Sequence, residues 1–104
     1  MRLGNAAWQH LRIGPCAPPR AVSVTAHRGG AARAPENTLC ALERAVRDGA
    51  DTAEVDVRAT RDGIPVLCHD PTLDRTAGVA ARLAELKTSD LAAIDVGSRF
   101  SPAH

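Results

Sequence analysis

The stretch AVSVTAHRGGAARAPENTLCALERAVRDGADTAEVDV, residues 21–57, decides the fold. Residues 21–26 are short, apolar and β-branched and run straight into His27-Arg28-Gly29-Gly30, as a buried strand runs into a loop at its carboxyl end. Pro35 and Asn37 offer helix-start chemistry, and Leu39, Leu42 and Val46 recur at helical spacing. Glu43 and Arg47 stand four residues apart, and Gly49 is placed to end the turn, so the pattern predicts a helix over 37–48. TAEVDV, residues 52–57, reads as the next strand. Strand, helix, strand is the βαβ unit with its parallel pair, which sets His27 beside Glu54 and Asp56 on neighbouring strands.

Outward from this unit, EVDVRATRDGIPVLCHD covers residues 54–70. Twelve residues separate Asp56 from His69, too few for a helical crossover, and Asp62-Gly63 is a strong two-residue hairpin turn. Such a turn pairs Ala59 with Val66 and Asp56 with His69. Opposed residues share a face with Cβ atoms about 5 Å apart, and Glu54 lies on that face too. Two carboxylates and an imidazole are therefore expected on one patch. Further along, PTLDRTAG is turn-rich, and leucines at 83, 86 and 91 suggest one or two short helices.

Composition narrows the function classes. The 104 residues make one domain at most, able to bury roughly 60 to 70% of the unfolded surface. Net charge is +1, Lys87 is the only lysine, and Trp8 and Phe100 are the only aromatics, so nucleic acid is not an expected partner. Cys16, Cys40 and Cys68 form neither a disulfide framework nor a thiolate metal motif. No stretch is apolar for long enough to span a membrane, and a cytoplasmic location is expected. The proline-rich GPCAPPR separates residues 1–20, expected to lack fixed structure, from a folded part over 21–104.

Glu54 and Asp56 form a hard-oxygen pair suited to Mg²⁺ or Ca²⁺, although two carboxylates at this spacing are also common on solvated strands. Imidazole as a group changes charge near neutrality, so His27 and His69 suit a general base and a general acid at a phosphorus centre; each also has an ordinary reading as a strand-end or turn histidine. Arg28 can grip a phosphate through its planar fork, or be a surface arginine. Gly29 and Gly30 let backbone approach an anion, or make a tight turn. Asp70 either orients His69 or caps the following turn, and Cys68 reads as a small apolar residue in its strand.

Together AHRGG, PENT, EVDVRATRDGIPVLCHD and PTLDRT closely resemble the amino-terminal part of the glycerophosphodiester phosphodiesterase family, in the same order, from about Val22 to Pro102. The resemblance implies an α/β fold, here an amino-terminal fragment of a (β/α)₈ TIM-type barrel. It implies a phosphoric diester hydrolase that converts a small-molecule glycerophosphodiester to sn-glycerol 3-phosphate and an alcohol with a divalent cation, Mg²⁺ or Ca²⁺. In that family the two motif histidines, here His27 and His69, serve as acid and base. The arginine, here Arg28, contacts phosphate, and the Glu-x-Asp carboxylates, here Glu54 and Asp56, bind metal.

Such a barrel usually takes about 250 residues, and no residue here matches the family's further metal carboxylate. The length thus predicts little turnover and exposed sheet edges that favour self-association. Two alternatives stand beside the hydrolase. One is a non-enzymatic remnant that binds cation or phosphate weakly. The other is a phospholipase D of the sphingomyelinase D type, against which PENT and HDPTLDRT weigh.

Overall fold

A computed structural model describes residues 22–100, so the expected leader over 1–20 lies outside it. Strands β1 (Thr25–Ala26) and β2 (Thr52–Ala53) pair in parallel, Thr25 opposite Thr52 and Ala26 opposite Ala53. The two threonine hydroxyls lie 2.7 Å apart across the pair. Helix α1 (Leu39–Arg47) connects them, which is the βαβ unit read from the sequence. Asp51 sets the register at the strand entrance, its carboxylate accepting from the Val24 N–H at 2.9 Å and its own N–H donating to the Val24 carbonyl.

The helix starts two residues later than expected. Thr38 is its cap, its hydroxyl oxygen accepting from the Ala41 N–H at 3.2 Å, whereas Asn37 takes a left-handed φ of 56° and turns its amide to other work. Gly49 ends the helix as the sequence suggests, at φ 85°. Its N–H donates to Val46 and that of Ala50 to Ala45, the paired bonds of a Schellman close. The buried face also differs from the expected one: Ala41 and Ala45 are buried and Val46 is 68% exposed. The cause is the glycine turn. A Cβ on Gly29 would stand 3.3 Å from both Ala41 Cβ and Leu42 Cδ2, so the lack of a side chain at residue 29 lets the turn come close to this face and cover it.

Residues 52–57 do not form one strand. After β2 the ladder breaks over 54–56, and β3 (Val57–Ala59) pairs antiparallel with β4 (Pro65–Leu67). The register is Val57 with Leu67, Arg58 with Val66 and Ala59 with Pro65, one residue away from the expected pairing. The reason lies in a longer turn. The buried Thr60 N–H donates to the Ile64 carbonyl, the Ile64 N–H donates back to the Thr60 hydroxyl, and Gly63 closes the loop at φ 75°. Three loop residues replace two. Asp56 consequently meets Cys68, whose N–H donates to its carbonyl at 3.0 Å, and not His69. A one-residue slip reverses which face a side chain occupies.

The turn-rich PTLDRTAG segment holds a second antiparallel pair that the sequence does not suggest. Strand β5 (Thr72–Leu73) and strand β6 (Val79–Arg82) enclose the four-residue helix α2 (Asp74–Ala77). The leucine-spaced segment forms two 3₁₀ stretches, Leu83–Glu85 and Thr88–Ala93. It is fastened to the first hairpin through Asp62, which accepts from the Thr60 and Thr88 hydroxyls and the Thr88 N–H. Among the described residues, the nearly fully buried apolar side chains are Ala34, Ala41, Ala45, Leu73 and Leu83.

Candidate active site

His27 follows β1 directly and Glu54 follows β2 directly, so the parallel pair delivers both to its carboxyl end. His27 opens a tight 3₁₀ turn, His27–Gly29, in which Arg28 takes a left-handed φ of 50°. The glycines serve the turn: Gly29 donates its N–H to the Glu54 carbonyl at 3.0 Å and backs onto α1. The Glu54 carboxylate accepts from the Arg28 N–H at 3.0 Å and lies 3.9 Å from His27 Nε2. Two non-glycine residues in left-handed backbone, Arg28 and Asn37, thus meet in one cluster, where such conformations persist only if the surroundings hold them.

Asn37 is the hinge of that cluster. It is 7% exposed, donates through Nδ2 to Asp56 Oδ2 and accepts at Oδ1 from the Asp56 N–H, both at 3.0 Å. This two-way bond holds Asp56 where the strand ladder is interrupted. Arg28 lies between acids, its Nη1 donating to Glu36 Oε1 at 3.1 Å and its Nε standing 3.7 Å from Asp56 Oδ2. That Nε is buried and makes no hydrogen bond.

Glu36 extends the cluster toward His69. Both of its oxygens accept from Arg75, Oε2 from Nη1 and Oε1 from Nη2, each at 2.6 Å. The third guanidinium nitrogen, Arg75 Nε, donates to Asp70 Oδ2 at 2.7 Å, and Asp70 Oδ1 lies 2.6 Å from His69 Nδ1. Hydrogen bonding to Arg75 holds both the Asp70 and the Glu36 carboxyl below the usual carboxylate range. Burial pushes the Cys68 thiol up, consistent with a packing role just beyond its strand.

All five residues singled out in the sequence belong to this one network, in an arrangement different from the expected patch. His27, Arg28, Glu54 and Asp56 converge directly. His69 makes no hydrogen bond or ion pair to Glu54 or Asp56 among the described residues, and it joins through Asp70, Arg75, Glu36 and Arg28. Asp70 touches the imidazole with one carboxylate oxygen and Arg75, in the segment that follows, with the other. Glu36, Asn37 and Arg75 are the members that spacing did not single out. They sit inside PENT and PTLDRT, and their place within those motifs is the signal the sequence offers.

The oxygens that carboxylates offer are the donor type a hard divalent cation takes. Two guanidinium groups face four carboxylates, a surplus of two negative charges with the imidazoles neutral. Glu54 and Asp56 each engage one oxygen, Oε2 and Oδ2, leaving Oε1 and Oδ1 without a hydrogen-bond partner among the described residues. These two residues fit as part of a divalent-cation shell; no group of three or more His, Cys, Asp or Glu side chains gathers there among the described residues.

The model for the glycerophosphoryl diester phosphodiesterase family matches residues 27–104. Glycerophosphodiester phosphodiesterase 1 of Rattus norvegicus is 52% identical over 65 residues, which are 62% of this chain and 20% of that protein. Glycerophosphodiester phosphodiesterase of Caldanaerobacter subterraneus is 40% identical over 74% of this chain and 32% of its own length. The chain therefore spans about a fifth to a third of the relatives it matches. Among solved structures, a glycerophosphodiester phosphodiesterase from Agrobacterium tumefaciens superposes with a TM-score of 0.74 at 37% identity, over 78% of this chain and 35% of that one. An Oleispira antarctica phosphodiesterase in complex with the product sn-glycerol-3-phosphate gives 0.71 at 40% identity, over 74% and 31%.

Proposed function

The chain belongs to the glycerophosphoryl diester phosphodiesterase family as a partial α/β segment of its (β/α)₈ barrel, and from that premise we propose that its strand-end cluster serves divalent-cation-dependent hydrolysis of a glycerophosphodiester to sn-glycerol 3-phosphate and an alcohol. The observation that supports this most is the meeting of His27, Arg28 and Glu54 at the carboxyl ends of β1 and β2, where barrel enzymes gather their chemistry. Arg28 binds the phosphate, for which a left-handed backbone and an unsatisfied buried Nε prepare it. Of His27 and His69, one takes the proton of the attacking glycerol hydroxyl and the other delivers a proton to the departing alkoxide; water then opens the cyclic phosphodiester so formed, with the two histidines exchanging roles, to give sn-glycerol 3-phosphate. Glu54 and Asp56 hold the cation, Mg²⁺ or Ca²⁺, which when bound offsets phosphate charge and acidifies a hydroxyl of the glycerol moiety.

The decisive experiment is calorimetric titration of the folded chain with Ca²⁺ and Mg²⁺ beside a Glu54→Gln/Asp56→Asn double variant, circular dichroism confirming that both are folded. Saturable binding that the double variant loses supports the assignment; a folded chain that binds neither ion overturns it. Turnover by the segment itself is expected to be slight, since two carboxylates leave a cation short of protein ligands. Steady release of sn-glycerol 3-phosphate from glycerophosphocholine would refute that expectation. Release of choline without it would favour the phospholipase D reading.

A further inference from the structure

Arg75 stands at a junction that the proposed chemistry does not by itself require. Its three guanidinium nitrogens are divided between two acids from different parts of the chain: Nη1 and Nη2 on Glu36, 39 residues away in the loop before α1, and Nε on Asp70. Glu36 and Asp70 are largely buried, with side chains 15% and 24% exposed. An exposed ion pair would contribute little, but a planar fork seated on both oxygens of a largely buried carboxylate fixes geometry. We propose that Arg75 is a positioning residue for His69: anchored on Glu36 through both Nη atoms, it holds the Asp70 carboxylate through Nε, and that carboxylate sets the ring orientation and the Nδ1–H tautomer of His69.

The chemistry runs in one direction. A carboxylate kept ionised can only accept, so the 2.6 Å contact with His69 Nδ1 requires the proton on that nitrogen. Nε2 is then the atom that exchanges a proton with a ligand. Asp70 and His69 are sequence neighbours, whose side chains have no intrinsic reason to stay aligned, and the arginine supplies that reason. Hydrogen bonding to Arg75 is also the foremost cause of the lowered Asp70 carboxyl. Glu36 Oε1 is shared, accepting from Arg75 Nη2 and from Arg28 Nη1, so the same acid aligns the arginine beside Asp56 and, through Arg75, the imidazole. Lysine cannot substitute, because a point charge cannot reach three acceptor oxygens on two acids.

The inference rests on the proposed reading only for the task of His69, and its test reads the imidazole rather than turnover. The ¹⁵N-labelled chain is examined at mildly alkaline pH by long-range ¹H–¹⁵N imidazole spectra, with His69 assigned by loss of its signals in His69→Gln. Wild type should show His69 chiefly as the Nδ1–H form. In Arg75→Gln and Arg75→Lys that share should fall by more than half, toward the Nε2–H-rich mixture of free histidine, while the His27 signals and backbone amide spectrum stay native. Glu36→Gln should give a smaller fall. A wild-type His69 that is mainly Nε2–H overturns the proposal whether or not the variants fold. So does an unchanged ratio in a folded Arg75→Gln. Loss of cation binding by Glu54→Gln/Asp56→Asn bears on the proposed function alone and leaves this ratio as it was.

Discussion

The charged end of this segment and its apolar layer are built to different degrees of completeness. At the strand ends, Arg28, Glu36, Asn37, Asp56, Asp70 and Arg75 meet one another through short hydrogen bonds, and nearly every charge has an opposite neighbour. In the apolar layer, among the described residues, only two leucines are nearly fully buried, Leu73 and Leu83, while Val22, Val24, Val46, Val57 and Ile64 are each at least 45% exposed. A closed barrel buries such side chains against neighbouring strands and helices. The site's scaffold is thus local and almost self-sufficient, whereas its hydrophobic support is distributed over a longer stretch of fold.

The sharpest way to break this contrast is Glu36→Ala, which takes one acid partner from each of two guanidinium groups, leaving Arg75 with Asp70 and Arg28 with Asp56. It should destabilise the chain by about 3 kcal/mol in urea titrations. Leu83→Ala, at the better buried of the two leucines Leu73 and Leu83, should cost less, about 2 kcal/mol, because a thin layer can collapse around the gap. If Leu83→Ala proves the more damaging, the apolar layer and not the charge network dominates. Acid should act on the network selectively. The Asp70 and Glu36 carboxyls lie below their ordinary values of 3.8 and 4.5 in the folded state, so their contribution is complete above those values and drains as pH falls through the folded ones. Stability measured from pH 5 down to pH 2 should therefore decline, and the decline should be shallower in Arg75→Gln. The smallest effect belongs to Val46→Ser, expected within about 0.5 kcal/mol of wild type.

The βαβ unit was legible because its signals are local: an apolar strand, a helical repeat and a terminal glycine. The failures came where a tertiary bond outweighed a local preference. Asn37 offers a helix cap by residue type, yet its amide is worth more on Asp56, and Thr38 takes the cap instead. Asp62-Gly63 offers a two-residue turn by type, but the Thr60 hydroxyl bonded to Ile64 lengthens the loop and slips the register. The strands around α2 are too short for alternation to announce them. His27, Arg28, Glu54, Asp56 and His69 could be named from the sequence, but the Arg75 bridge to His69 could not, since it joins residues 39 apart that share no periodicity.

The contact between the glycine turn and α1 bears on how this sequence can change over generations. Gly29 and Ala41 are already about as small as side chains come, so neither can shrink enough to make room for a larger partner. Growth at either position crowds the turn that carries His27 and Arg28 against the helix, and a smaller residue at 42 relieves only the Leu42 side of that contact. The helix thereby carries a constraint written by the chemistry at the other side of the turn, and drift at these two positions is blocked in both directions at once.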